Sequence, residues 1–257
     1  MRNRFFFLLL IILSFSCSNS KNNSPKDHFI IEGKIINAEK RKIVLQKLTY
    51  QEVISIDSVV LNQEGKFSFT VKPDEKGIYL LKKDANHYIS IIADKGEKIT
   101  FNADYENFEK SYSIKGSPDS ELLLELNNHL QPNLQKLDSI GKIWKSAIYE
   151  ANRTDVKKKL DSCYLKIVAD QRAFQLNFIQ KNSSSLVALI ALYQPLNREA
   201  VLKEDSDFSI FEKVSNDLQK SLPTNTHAIN FAKRIKQRKM IELEKELTQK
   251  RHKESNH

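Results

Sequence analysis

The chain of 257 residues has only two cysteines, Cys17 and Cys163. They form no Cys-x-x-Cys pair, which excludes the usual dithiol redox centre. Glycine is nearly as scarce: there are six, and Gly141 alone lies beyond residue 116. No glycine-rich phosphate loop can be built from them. The six histidines are His28, His87, His129, His227, His252 and His257. None stands in His-Glu-x-x-His or at zinc-ligand spacing from a cysteine, so each reads as a surface histidine. A long apolar run is missing too. The stretch Phe5–Leu13 is apolar throughout, but nine residues at about 1.5 Å each fall far short of the ~30 Å hydrocarbon core.

What that stretch does resemble is an export signal. Arg2 and Arg4 make the start positive, the apolar run is short, and small residues follow. Residues 1–16 are therefore read as a signal peptide. Ser14-Phe15-Ser16-Cys17 resembles the lipobox of bacterial lipoproteins, in which the cysteine becomes the acylated first residue of the mature chain. Ser16 fits the small residue before the cut, whereas Ser14 stands where leucine is commoner. The resemblance implies that Cys17 is lipidated, for example with palmitate, and that acyl chains hold the protein to a membrane. Residues 17–26, mostly Ser, Asn, Lys and Pro, cannot bury apolar area and read as a flexible tether. Position 18 is serine, not the aspartate that retains many lipoproteins at the inner membrane, and an acidic surface-export cluster is missing. The expected address is the outer membrane, facing the periplasm.

Lysine and arginine number 41 against 32 acidic residues, a net charge of +9. Residues 233–257 alone carry nine basic and four acidic residues, so the body is nearly neutral. That basic end has no interleaved aromatics on which bases could stack, and nucleic acid is not an expected partner. It reads as a solvated helix end, with contact to anionic lipid or an acidic partner as the functional alternative.

The two halves differ in kind. "FIIEGKII", "KIVLQKL", "VISIDSVVL", "KFSFTV", "GIYLLK", "YISIIA" and "KITFNA" are short runs rich in Ile, Val, Phe and Tyr. Phe67, Phe69 and Val71 alternate with Ser68 and Thr70, as one buried face requires. "NQEG" (62–65), "DANH" (84–87) and "DKGE" (94–97) read as hairpin turns. Residues 27–116 are thus predicted to form an antiparallel β-sandwich or partly open barrel. The class is α+β, because an all-helical half follows over 117–248. Ser117 caps its first helix and Pro118 takes the first position; Pro132 should kink or split it. In the second helix Val156, Leu160, Cys163, Ile167, Phe174 and Phe178 form one stripe, which places Cys163 in the core as a small hydrophobe. "NSSSLVALIALYQ", capped near Ser184, is apolar on most sides and should be the most buried helix. "DFSIFEKVSNDLQKSL" and the segment from Asn225 supply two more. The last loses its apolar stripe after Leu247, so 249–257 should fray.

Two stretches have the spacing of chemical motifs. Ser139-Ile140-Gly141-Lys142 has the Ser-x-x-Lys spacing of penicillin-recognising enzymes, but Ser-Asp-Asn and Lys-Thr-Gly are missing. "EDSDFS" (204–209) lacks the glycine and distal glutamate of a calcium loop, and Asp205 or Asp207 is expected to cap the next helix. No catalytic, cofactor-binding or metal-binding residue is predicted, and the chain is not read as an enzyme.

"ISIDSVVLNQEGKFSFTVKPDEKGIYLL" resembles the strand region of a domain of unknown function at the start of many Gram-negative lipoproteins. The matching residues are Asp57, Ser58, Gly65, Phe67 and Phe69. "FIQKNSSSLVALIAL" and "LQKSLPTNTHAINFAKRI" are similar to its helical continuation, so the resemblance spans roughly 27–240. In most such proteins a thioredoxin-like domain with Cys-x-x-Cys follows, of the thiol-peroxidase or thiol-disulfide oxidoreductase type. Here "ELTQKRHKESNH" stands in its place. The resemblance implies a non-catalytic interaction or scaffolding module. The alternative is an accessory that docks a separately encoded thioredoxin-like protein against the basic last helix, and a third reading is a shortened relic.

Overall fold

The computed structural model describes residues 26–255. The expected signal peptide, tether and Cys17 lie outside the described residues, apart from exposed Lys26.

Eight strands make two four-stranded sheets. The first holds β1 (Phe29–Ile36), β4 (Lys66–Val71), β7 (Lys98–Asp104) and β8 (Ser113–Lys115), in the order β4-β1-β7-β8. The second holds β2 (Lys42–Leu48), β3 (Val53–Val60), β5 (Gly77–Lys82) and β6 (Tyr88–Ala93), in the order β3-β2-β5-β6. They pack face to face without closing into a barrel. Phe29, Ile31, Phe69 and Phe101 of the first interlock with Ile43, Leu45, Tyr79 and Ile91 of the second in one core. The alternation in β4 places its three apolar residues inward and its polar ones outward, as a sheet with one wet face requires.

The sandwich departs from a purely antiparallel one. β1 runs parallel to β7, with Gly33 opposite Phe101. Glycine is needed there: a Cβ on Gly33 would meet the Phe101 carbonyl oxygen at 1.6 Å. Two of the three expected hairpins are also something else. "DANH" does join neighbours β5 and β6, but "NQEG" carries the chain from β3 to β4 and "DKGE" from β6 to β7. Each crosses from one sheet to the other. Buried Leu61 anchors the first crossing, and Asn62 Oδ1 accepts the Glu64 and Lys66 N–H groups at 3.0 and 2.8 Å. Such a polar turn looks the same in sequence whether it closes a hairpin or a sandwich corner.

Five helices cover the second sheet: α1 (Pro118–Ala147), α2 (Arg153–Asn182), α3 (Leu186–Tyr193), α4 (Phe208–Ser221) and α5 (Thr226–Ser255). A two-residue hairpin, β9 (Pro195–Leu196) with β10 (Glu199–Ala200), separates α3 from α4. Ile78 and Ile92 face Phe178, Leu186, Val187 and Phe211 across the sheet–helix interface. β5 is therefore buried on both faces, which explains why its sequence does not alternate. α3 is the buried helix expected, though its cap is Ser185, whose hydroxyl accepts the Val187 N–H at 3.0 Å.

α1 does not split at Pro132. Pro132 and Asn128, whose carbonyl loses its helical partner, are both exposed residues, so the lost bond falls on the wet side of the helix. α5 continues to Ser255, past the end of its apolar stripe. The helical layer is fastened to the sheet at two points. Ser117 and Ser120 bond the Ile92 backbone, and Asp119 accepts Lys76 Nζ at 2.7 Å and Ser185 Oγ at 2.8 Å. At α5, Glu75 accepts the Thr226 N–H at 2.8 Å and His227 Nε2 donates to the Leu48 carbonyl at 3.0 Å.

Candidate interaction surfaces

The sequence motifs disperse once folded. Ser139 Oγ donates back to the Gln135 carbonyl at 3.0 Å, and Lys142 pairs with Asp138 at 2.7 Å, both on the exposed side of α1. Among the described residues no three His, Cys, Asp or Glu side chains are grouped to hold a metal ion.

Asp207 sits at the N-cap position of α4 but does not cap it. Its nearly buried carboxylate accepts the Lys203 N–H at 2.9 Å and pairs with the Arg172 guanidinium of α2. The pairing holds its pKa below the usual carboxylate range. Asp205 bonds Arg238 of α5. Both acids serve long-range ties that local sequence cannot announce. Two histidines depart from the surface reading. His227 is half-buried, and desolvation pushes its pKa down while its bond to Leu48 opposes the shift. His129 lies flat on Phe174, ring centroids 3.8 Å apart, with Nε2 3.2 Å from an Asp170 carboxylate oxygen.

Cys163 is exposed, contrary to the core position its stripe predicts. The stripe does face α1, but Leu137 and Ile167, with Leu196, form the last cluster along the α1–α2 pair. Between residues 138 and 166 only Ala147 is buried. Two helices alone leave both flanks of their seam open to water, and Cys163 lies on a flank.

The two outer edges of the second sheet differ. At β6 the edge is closed by side chains. Glu109 accepts the Tyr88 N–H at 3.1 Å, and Ser120 Oγ accepts the Ile92 N–H at 2.9 Å. Between them Ser90 borders a polar cleft of about 400 Å³ lined also by Tyr112, Asn127 and Gln131. At β3 the edge is open among the described residues. Seven of its eight residues are exposed, including Val53, Ile54, Ile56 and Val60. Strand β3 carries a bulge opposite Leu45 and Gln46, and the Ser58 N–H finds only the neighbouring Asp57 carboxylate, at 2.7 Å. A bulge and a charge in the middle of an edge are devices that discourage indiscriminate strand pairing. They leave a selective template: apolar at both ends and acidic at its centre.

The far half of α5 presents a second exposed surface. Met240, Leu243 and Leu247 recur at spacings of three and four and are each about half exposed. Lys239 and Arg238 beside them are tied to Glu212 and Asp205.

Residues 29–123 match the family described as Domain of unknown function (DUF4369). The match takes in strands β1 to β8 and the first turns of α1; β9, β10 and the rest of the helical layer lie outside it. No curated protein and no solved structure is significantly similar to the chain.

Proposed function

We propose, for a chain whose residues 29–123 form a domain of that family, that the protein is an envelope lipoprotein acting as a non-catalytic interaction module. Acyl chains on Cys17 hold it in the membrane, at the outer membrane facing the periplasm. The reading of the anchor rests on the basic start, the short apolar run and Ser16-Cys17. The observation that carries the binding role is the open β3 edge beside a closed β6 edge on the same sheet. An extended segment adding to β3 gains main-chain hydrogen bonds, and its side chains give selectivity. A cation opposite Asp57 and apolar residues opposite Val53 and Val60 fit this edge.

A photo-crosslinker at Ile56 should trap a partner in intact envelopes, and Ile54→Lys should abolish the product. Recovery of no crosslinked protein from expressing cells would sink the binding role. Cys17→Ala should take up no labelled palmitate, and undiminished labelling would sink the anchor.

The second reading makes the protein an accessory of a separately encoded periplasmic thioredoxin-like oxidoreductase. It is favoured by the half-exposed Met240, Leu243 and Leu247 on a basic helix end. Co-purification of a thiol oxidoreductase, lost on Leu243→Glu, would select this reading over the first.

A further inference from the structure

We propose that the end of the α1–α2 hairpin binds the surface of an anionic lipid bilayer. Past Leu137 and Ile167 the two helices keep a single buried residue, Ala147, among the described residues. Their end is apolar: Ile143 is 50 % exposed, Ile148 38 % and Tyr149 93 %. Tyr149 lies in the turn between the end of α1 and the start of α2. Around it the charge is strongly positive. Residues 142–159 include six basic and two acidic side chains. Lys142 and Lys157 are engaged by Asp138 and Asp161, at 2.7 and 2.6 Å. Among the described residues no carboxylate pairs with Lys145, Arg153, Lys158 or Lys159.

This combination fits lipid better than protein. The exposed apolar side chains here are few, Ile143, Ile148 and Tyr149, whereas a stable protein contact needs on the order of 1,200 Å² of matched surface. A bilayer interface asks only for a small apolar tip, an amphipathic aromatic such as tyrosine, and cations at headgroup level. Unpaired lysines are attracted to the anionic headgroups while Ile148 and Tyr149 enter the boundary between headgroups and acyl chains. The contact uses no part of the N-terminal segment, so it stands whether or not Cys17 is acylated. With an acyl anchor it would supply the second signal that makes attachment stable.

The chain carries its own reporter, because its single tryptophan, Trp144, lies half-buried in this end of α1. The full chain is mixed with phosphatidylcholine vesicles, with and without phosphatidylglycerol. Trp144 emission should shift to the blue and become protected from iodide only with phosphatidylglycerol, and high salt should reverse both. Replacing Lys145, Lys158 and Lys159 by Gln should raise the lipid concentration needed by roughly a hundredfold. These side chains are exposed, so circular dichroism should not change. Ile148→Ser with Tyr149→Ser should also lose the shift. Cys17→Ala should leave it intact, which separates this contact from the acyl anchor. Unchanged Trp144 emission on phosphatidylglycerol vesicles that nonetheless sediment the chain would overturn the proposal. So would an equal shift with polyglutamate and no lipid, which would assign the tip to an acidic protein.

Discussion

Ser120 closes the edge of β6 by bonding both polar groups of Ile92: its hydroxyl accepts the N–H at 2.9 Å and donates to the carbonyl at 2.7 Å. Both residues are buried, so water cannot substitute. Ser120→Ala should leave the Ile92 N–H without a partner and cost about 2 kcal/mol of stability. Ser139→Ala, on the exposed side of the same helix, should stay within about 0.5 kcal/mol. Urea unfolding of the two variants provides the comparison, and equal midpoints would contradict the closed edge.

Asp207 and Arg172 tie the start of α4 to the middle of α2. Asp207 is buried whereas the Arg172 side chain is 39 % exposed, so the stranded guanidinium can be re-solvated. Asp207→Ala should therefore cost about 2 kcal/mol, below the usual 3–5 for a fully buried pair. The folded pKa of Asp207 is depressed, chiefly by the hydrogen bond from Arg172. Its contribution is complete above the unfolded carboxylate value and lost as pH falls through the lower, folded one. Wild type and Asp207→Asn should differ most at neutral pH and converge in acid.

His227 has the opposite charge logic. Burial between α5 and β2 lowers its pKa, so folding favours the neutral ring with a proton on Nε2 for the Leu48 carbonyl. The unfolded chain binds the extra proton first, and stability should fall as pH drops through about 6.5. His227→Gln keeps a donor and removes the titration. Thermal melts of the pair between pH 5 and about 8 should show a steeper acid loss for wild type. Parallel curves would refute the assignment.

The exposed position of Cys163 makes a plain prediction about the native thiol. A thiol reagent such as dithionitrobenzoate should label it in the folded chain nearly as fast as in urea. Strong protection in the native state would instead restore the buried position its stripe suggested.

Much of this architecture was legible in the residues. Alternation in β4, the capping of α1 by Ser117 and the apolar richness of α3 are local signals, and each led to the right element. The errors share one origin. Asp207, Cys163, His227 and the turns at 62–65 and 94–97 were read from their neighbours in sequence, but each is governed by a partner, or a missing partner, far along the chain. Arg172 takes Asp207, Leu48 takes His227, and Cys163 is left exposed among the described residues.

The division between sequence and tertiary structure follows from the range of the forces. Hydrophobic period, capping and turn chemistry act over a few residues, so the α+β class and the order of strands before helices could be read from the residues themselves. Which strand edge stays open, which histidine loses its water and which helix end stands alone depend on what packs beside them. That Ser120 seals β6 while β3 stays open among the described residues emerges only when the layers pack together, because desolvation and long-range hydrogen bonds are properties of the assembled surfaces and not of any stretch of chain.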